Sequence, residues 1–229
     1  YTNIIFFLGQ KSPNIKKDFS KIKKEENVNS NLKLSISDKK VQVLLMFAGV
    51  FCCIAMSMPQ VHIVPLCIDN GFGLAVGTEI LSFMLFAAVT SRILFGLLSD
   101  KIGPIQTLIL GSTLQAISLS MFLPFNSQMS LYIVAMFFGL SQGGIVPIYA
   151  VIISKFLPEN EVAERVGLLI FATIIGMSLG GWLSGLIYDY TNSYQMAFLN
   201  GIFWNLVNLL IMFYLFLKYQ QSIKRGVQI

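Results

Sequence analysis

The feature that most limits what this 229-residue chain can fold into is a series of six apolar segments. They run over residues 41–67, 74–98, 105–123, 130–153, 163–187 and 196–217. Each has 19 residues or more, and the links between them have six to nine. A hydrocarbon core about 30 Å thick is crossed by about 20 helical residues rising 1.5 Å each. Backbone amides in lipid find no water, so only helices and closed barrels span it. Barrel strands need about 10 residues, so segments of this length imply helices. Short links make successive helices antiparallel. The expected class is all-α: a polytopic membrane protein with six transmembrane helices. Only 12% of the residues are charged, against about 25% in soluble domains, so most of the surface is not built to face water.

The cations set an orientation. Residues 11–40 form a lysine-rich linker with nine lysines against Asp18, Glu25, Glu26 and Asp38. Such loops stay in the cytoplasm. With the linker there, Lys101, Lys155, Arg165, Lys218, Lys224 and Arg225 fall on the same side. The links 68–73, 124–129 and 188–195 hold no Lys or Arg. Linker and C-terminus are therefore expected to be cytoplasmic, in a plasma membrane or a bacterial inner membrane. Tyr188, Tyr190 and Tyr194 suit an outer aromatic belt, and Tyr214 and Tyr219 an inner one. The linker reads as a solvated loop or as a polybasic patch on anionic lipid. It lacks the interleaved aromatics of a nucleic-acid platform, so the expected partner is the bilayer and not nucleic acid. The chain begins at Tyr1, which suggests a fragment. The short patch Ile4–Leu8 reads as the end of a preceding helix or as a docked loop.

Two features inside the apolar pattern need a physical reason. Arg92 is a permanent cation about two turns inside the second segment. A cation in hydrocarbon costs roughly 2.5–3.5 kcal/mol on insertion scales, so it normally faces protein or a wet path. The second feature is Gly96-x-x-x-Asp100-Lys101-x-Gly103 where that segment ends. The glycines are expected to let backbones approach, and the charges to lock a helix end through a salt bridge.

Prolines and glycines punctuate the rest. Pro104 is expected to open the third helix, where its missing N–H costs nothing. Pro59, Pro65 and Pro147 are expected to kink theirs. The fourth segment holds Gly139-Leu-Ser-Gln142-Gly143-Gly144, a pliable middle with one amide. The fifth carries two small-residue ladders, Gly176/Gly180 and Gly181/Gly185, suited to static close packing or to sliding faces.

Other chemistries fit poorly. Cys52, Cys53 and Cys67 lack metal-ligand spacing and read as small buried hydrophobes. Gly176-Met-Ser178-Leu-Gly180 matches a hydrolase pattern, but that motif needs a strand–turn–helix and a histidine partner. It lies in a spanning helix, and His62 is the one histidine of the chain. Walker, zinc and dinucleotide fingerprints are missing. No enzyme activity, metal or cofactor is expected, and transport driven by ATP is not indicated.

Six spans, a preceding hydrophilic loop and the motif at Gly96–Gly103 resemble the C-terminal half of a major facilitator superfamily transporter. The resemblance covers Val41 onward. It implies that residues 1–40 are the end of a preceding helix plus the central cytoplasmic loop. It also implies a missing N-terminal six-helix half as partner. The family motif ends in a cation where this chain has Pro104. A finer likeness, to the monocarboxylate and oxalate–formate porter branch, rests on Pro59-Gln60-Val61-His62-Ile63-Val64-Pro65, on Asp69-Asn70-Gly71, and on Arg92 four residues before Gly96. In that branch the arginine is implicated in holding a substrate carboxylate. Ala88 stands where an acid is common one turn earlier, and the fifth segment holds no second cation beyond Arg165 at its inner end. The resemblance therefore implies a monoanion more than a dicarboxylate.

The candidate site residues follow. With segment centres as midplane, Gln142 lies near it, Arg92 about 9 Å toward the cytoplasm and His62 about 12 Å toward the outside. Arg92 can bind a carboxylate bidentately, or serve as a structural cation. Gln142 and His62 can complete the polar contacts to such a substrate; His62 can also relay protons, or bond a backbone carbonyl beside a proline. Glu79 lies about 220° around the helix from Arg92, so the two cannot pair within it. It suits proton coupling, an outer gate or simple snorkelling to headgroups. The leading expectation is a gradient-driven secondary transporter that moves a small organic anion by alternating access. The alternatives are a six-span homo-oligomeric channel or scaffold, and efflux of hydrophobic compounds.

Overall fold

The computed structural model describes residues 36–124 and 127–226, with side chains through Lys224. The expectations for the residues before 36 lie outside the described residues. All regular structure among the described residues is helical. Helix α1 is Asp38–Asp69, α2 Gly73–Ile102, α3 Pro104–Met121, α4 Gln128–Gln142 and α5 Ile145–Phe156. A single 3₁₀ turn, Glu159–Glu161, leads into α6, Val162–Thr191, and α7 is Tyr194–Gly226. Most helices overrun the apolar segments by two to four residues at an end, because backbone hydrogen bonding continues where polar side chains reach water.

Helix α1 is the hub. It touches each of the other six helices and packs most extensively on α6 and α7. It is the most deeply buried of the long helices, whereas α2 and α6 keep much of their surface outward. Along those helices Phe86, Ile93 and Trp182 are exposed, as is Leu210 on α7. A soluble bundle would not leave large apolar side chains uncovered in such number.

Two apolar clusters meet at the height of Cys52 and Ala55. One gathers Leu45, Ile105, Ile148, Ile152 and Met212, and the other Met58, Ile63, Phe122, Phe138 and Phe198. A polar layer crosses the bundle between them. Tyr149 donates to Asn208 Oδ1 at 2.8 Å, Asn208 Nδ2 to Ser112 Oγ at 3.0 Å, and Asn205 Nδ2 to the Ser112 carbonyl at 3.2 Å. Gln115 bonds both the thiol and the carbonyl of Cys52. Most of these polar atoms are paired, as buried ones must be.

That layer explains a difference from the expected six spans. Among the described residues five helices are long and apolar enough to cross a membrane, counting α4 and α5 as one, and α3 is not among them. Its Thr107, Ser112, Gln115 and Ser118 are buried against neighbours. The polarity that lowers its apolar character faces the bundle.

The punctuation is resolved residue by residue. Gly103 has φ +92°, ending α2 and starting α3 with Pro104 in the first turn. Its N–H donates to the Ser99 carbonyl, and its carbonyl accepts from Thr107. A Cβ at Gly96 would meet open space, so the expected close approach there does not occur among the described residues. Helix α1 continues through Pro59 and Pro65. The fourth span breaks at Gly143-Gly144, and Pro147 falls in the first turn of α5. There its missing N–H is no loss, so the kink lies one turn before the proline. Both glycine ladders of α6 face α1: a Cβ at Gly180 would lie 2.6 Å from Ile54 Cα, whereas one at Gly181 would be 3.4 Å from Val61.

Candidate functional site

A cavity of about 590 Å³ opens between α1, α2, the broken α4–α5 span and α6. Its wall is mainly apolar, with Met56, Val89, Val146 and Met177 among its lining. Arg92 of α2 and Gln142, the last residue of α4, also line it. Arg92 is exposed and makes no ion pair or hydrogen bond with a described residue. It stands about 15 Å from the Ile102 end of α2. Gln142 is 2% exposed, and its carboxamide has no protein partner among the described residues. A guanidinium offers a planar fork of donors and an amide adds two more. Both are donor groups of the kind a carboxylate accepts from.

Two further polar residues line the cavity that sequence reasoning did not single out. Gln60 of α1 is half-buried there. Thr173 of α6 donates its hydroxyl to the Ile170 carbonyl at 2.7 Å, which leaves its oxygen free to accept. Gln60 carried a signal, as an amide beside Pro59 inside an apolar run. Thr173 carried none, because a threonine that bonds its own helix is ordinary in a spanning segment.

The other candidates lie elsewhere. His62 is half-buried and does not line the cavity; its Nε2 is 3.1 Å from the Gly181 carbonyl. This is the backbone-bonded alternative, and it ties α1 to α6. Glu79 is exposed near the start of α2 and accepts from the Tyr132 hydroxyl at 2.7 Å. Asp100 and Lys101 are exposed at the end of α2 and form no ion pair with a described residue. The one ion pair among the described residues joins Arg165 to Glu161. Asp69, at the end of α1, accepts from Tyr188 at 2.5 Å and from Tyr194 at 3.1 Å. It gathers the ends of three helices. Cys52, Cys53 and Cys67 are buried and unpaired, as expected. No cluster of metal-ligating side chains occurs among the described residues.

Comparison with known proteins adds to this geometry. Residues 43–226 match the sequence pattern of the Major Facilitator Superfamily. The chain is 27% identical over 143 residues to a protein of Rattus norvegicus named monocarboxylate transporter 13, covering 62% of this chain and 33% of that one. It is 26% identical to the protein of the same name from Bos taurus, over 62% of this chain and 34% of that one. A Penicillium oxalicum protein named MFS-type transporter opdF is 29% identical over 168 residues, covering 69% and 40%. The chain thus spans about a third of the length of the first curated relatives it matches.

Proposed function

Because the chain belongs to the Major Facilitator Superfamily, we propose that it forms the anion-holding half of a secondary transporter moving a small organic anion, such as a monocarboxylate, by alternating access. The chain is an integral, multi-pass membrane protein. One observation carries the proposal: Arg92, without a protein counter-charge among the described residues, lines a mainly apolar cavity together with Gln142. A fixed cation in a low-dielectric wall needs an anion, and one cation calls for one negative charge. Relatives named monocarboxylate transporter support the same class. In this reading Arg92 takes the carboxylate, Gln142 orients it, and Gln60 and Thr173 adjust specificity.

The remaining length of such relatives would supply a second six-helix half that closes the cavity. The lysine-rich loop and C-terminus are cytoplasmic in this proposal, since fifteen of the sixteen cations fall on that side. Gly96, Asp100, Lys101 and Gly103 act at the gate there, with the charges of Asp100 and Lys101 kept for the other half. Glu79, held by Tyr132, is the proposed proton site at the far end. His62 serves as a strut. The test is uptake of radiolabelled pyruvate into proteoliposomes carrying the protein at full length. Arg92→Ala should insert normally and lose uptake, and undiminished uptake by that variant would remove the site.

A further inference from the structure

Ser91, the residue before Arg92, is 0% exposed. Its hydroxyl donates to the Leu140 carbonyl at 2.6 Å and accepts from the Gly144 N–H at 3.1 Å. Leu140 and Gly144 are four residues apart, so in an unbroken α-helix that N–H would bond that carbonyl directly. A hydroxyl from α2 therefore stands inside the hydrogen-bond ladder of the fourth span. Such an insertion is a known cause of a helix break. The approach needs glycine: a Cβ at Gly139 or Gly143 would run into the carbonyl oxygens of Met84 or Ala88. The rung one turn on, from residue 147 to the Gly143 carbonyl, is missing because Pro147 has no N–H.

The break is shared with the cavity. Gln142 lies between the two residues the hydroxyl joins, and Arg92 follows Ser91 on α2. The same short bridge thus fixes α2 against α4 at the point where each helix contributes a polar residue to the cavity lining.

We propose that Ser91 is a positioning residue whose hydroxyl splices the broken span and holds Gln142 in register with Arg92 for binding an anion. It rests on the transport reading above, but its geometry can be tested apart from it. The protein at full length is compared with Ser91→Ala and Ser91→Thr in two measurements. In amide hydrogen exchange, peptides covering residues 140–147 should exchange about 5- to 10-fold faster in Ser91→Ala, since the Gly144 N–H loses its bond to the hydroxyl, one of the two buried hydrogen bonds the hydroxyl makes. Ser91→Thr, which keeps a hydroxyl, should exchange like the parent. In pyruvate uptake, Ser91→Ala should raise KM about 5- to 10-fold with Vmax little changed, and Ser91→Thr should restore KM. If Ser91→Ala does not fold, Ser91→Cys serves instead, its thiol being a weak donor and acceptor. Unchanged exchange, or an unchanged KM, in the variant lacking the hydroxyl overturns the proposal. Full uptake by Arg92→Ala overturns the transport reading instead.

Discussion

Replacing Gly180 with alanine, beside the same change at Gly181, measures how closely α1 and α6 approach. The two residues are neighbours in one helix, so the gain in helix propensity is nearly the same for both and cancels in the comparison. Their surroundings differ. A Cβ at Gly180 would fall on Ser57 Oγ and the Ile54 carbonyl and 2.6 Å from Ile54 Cα, all part of α1. At Gly181 the nearest atom is a Val61 methyl at 3.4 Å. Ordinary carbon contacts lie at about 3.5–4.0 Å, so Gly180→Ala must push the helices about 1 Å apart or tilt them. Overpacking of this kind costs about 1–3 kcal/mol, whereas Gly181→Ala costs little. Thermal unfolding of the detergent-solubilised protein should place Gly180→Ala several degrees below Gly181→Ala. Equal melting temperatures would refute the reasoning, because the contact with Ile54 would then not limit the approach.

Other predictions rest on single groups. Gly103→Ala forces a Cβ into backbone at φ +92°, where it would also meet Gln106 Oε1 at 2.8 Å; a loss of about 1–3 kcal/mol is expected in the same unfolding assay. Tyr149→Phe leaves Asn208 Oδ1 without its donor in the buried layer. It should cost about 1 kcal/mol, while Tyr132→Phe, at the exposed Glu79 contact, should leave the melting temperature unchanged.

The helices were legible because apolar length alone marks them. Their ends and the orientation of their faces were less so. Pro104 announces a helix start by backbone chemistry, and this holds. Gly103, expected to let backbones approach, instead takes φ +92° at the turn between α2 and α3. The break in the fourth span was visible as Gly143-Gly144. Its position relative to Pro147 was not, because the deciding hydroxyl comes from Ser91, 53 residues away. The polar residues of α3 read in the sequence as part of an apolar segment, and only the bundle shows that Ser112 and Gln115 belong to a buried network. Arg92 and Gln142 were identified as odd residues in apolar surroundings, and they share a cavity. His62 was odd in the same way, yet its ring bonds the Gly181 carbonyl. A lone polar side chain marks a constraint, and sequence spacing alone does not separate a strut from a ligand contact.

Anion transport through this cavity requires Arg92 to face water between helices and not lipid. Modification of Arg92→Cys by a charged, membrane-impermeant methanethiosulfonate reagent tests this most directly, in full-length protein cleared of its native cysteines. Leu210→Cys, 70% exposed in the parent on the outer face of α7, is the lipid-facing control. Rapid labelling at residue 92 and almost none at residue 210 are expected. Absence of labelling at residue 92, or equal labelling at both, would contradict a water-facing Arg92.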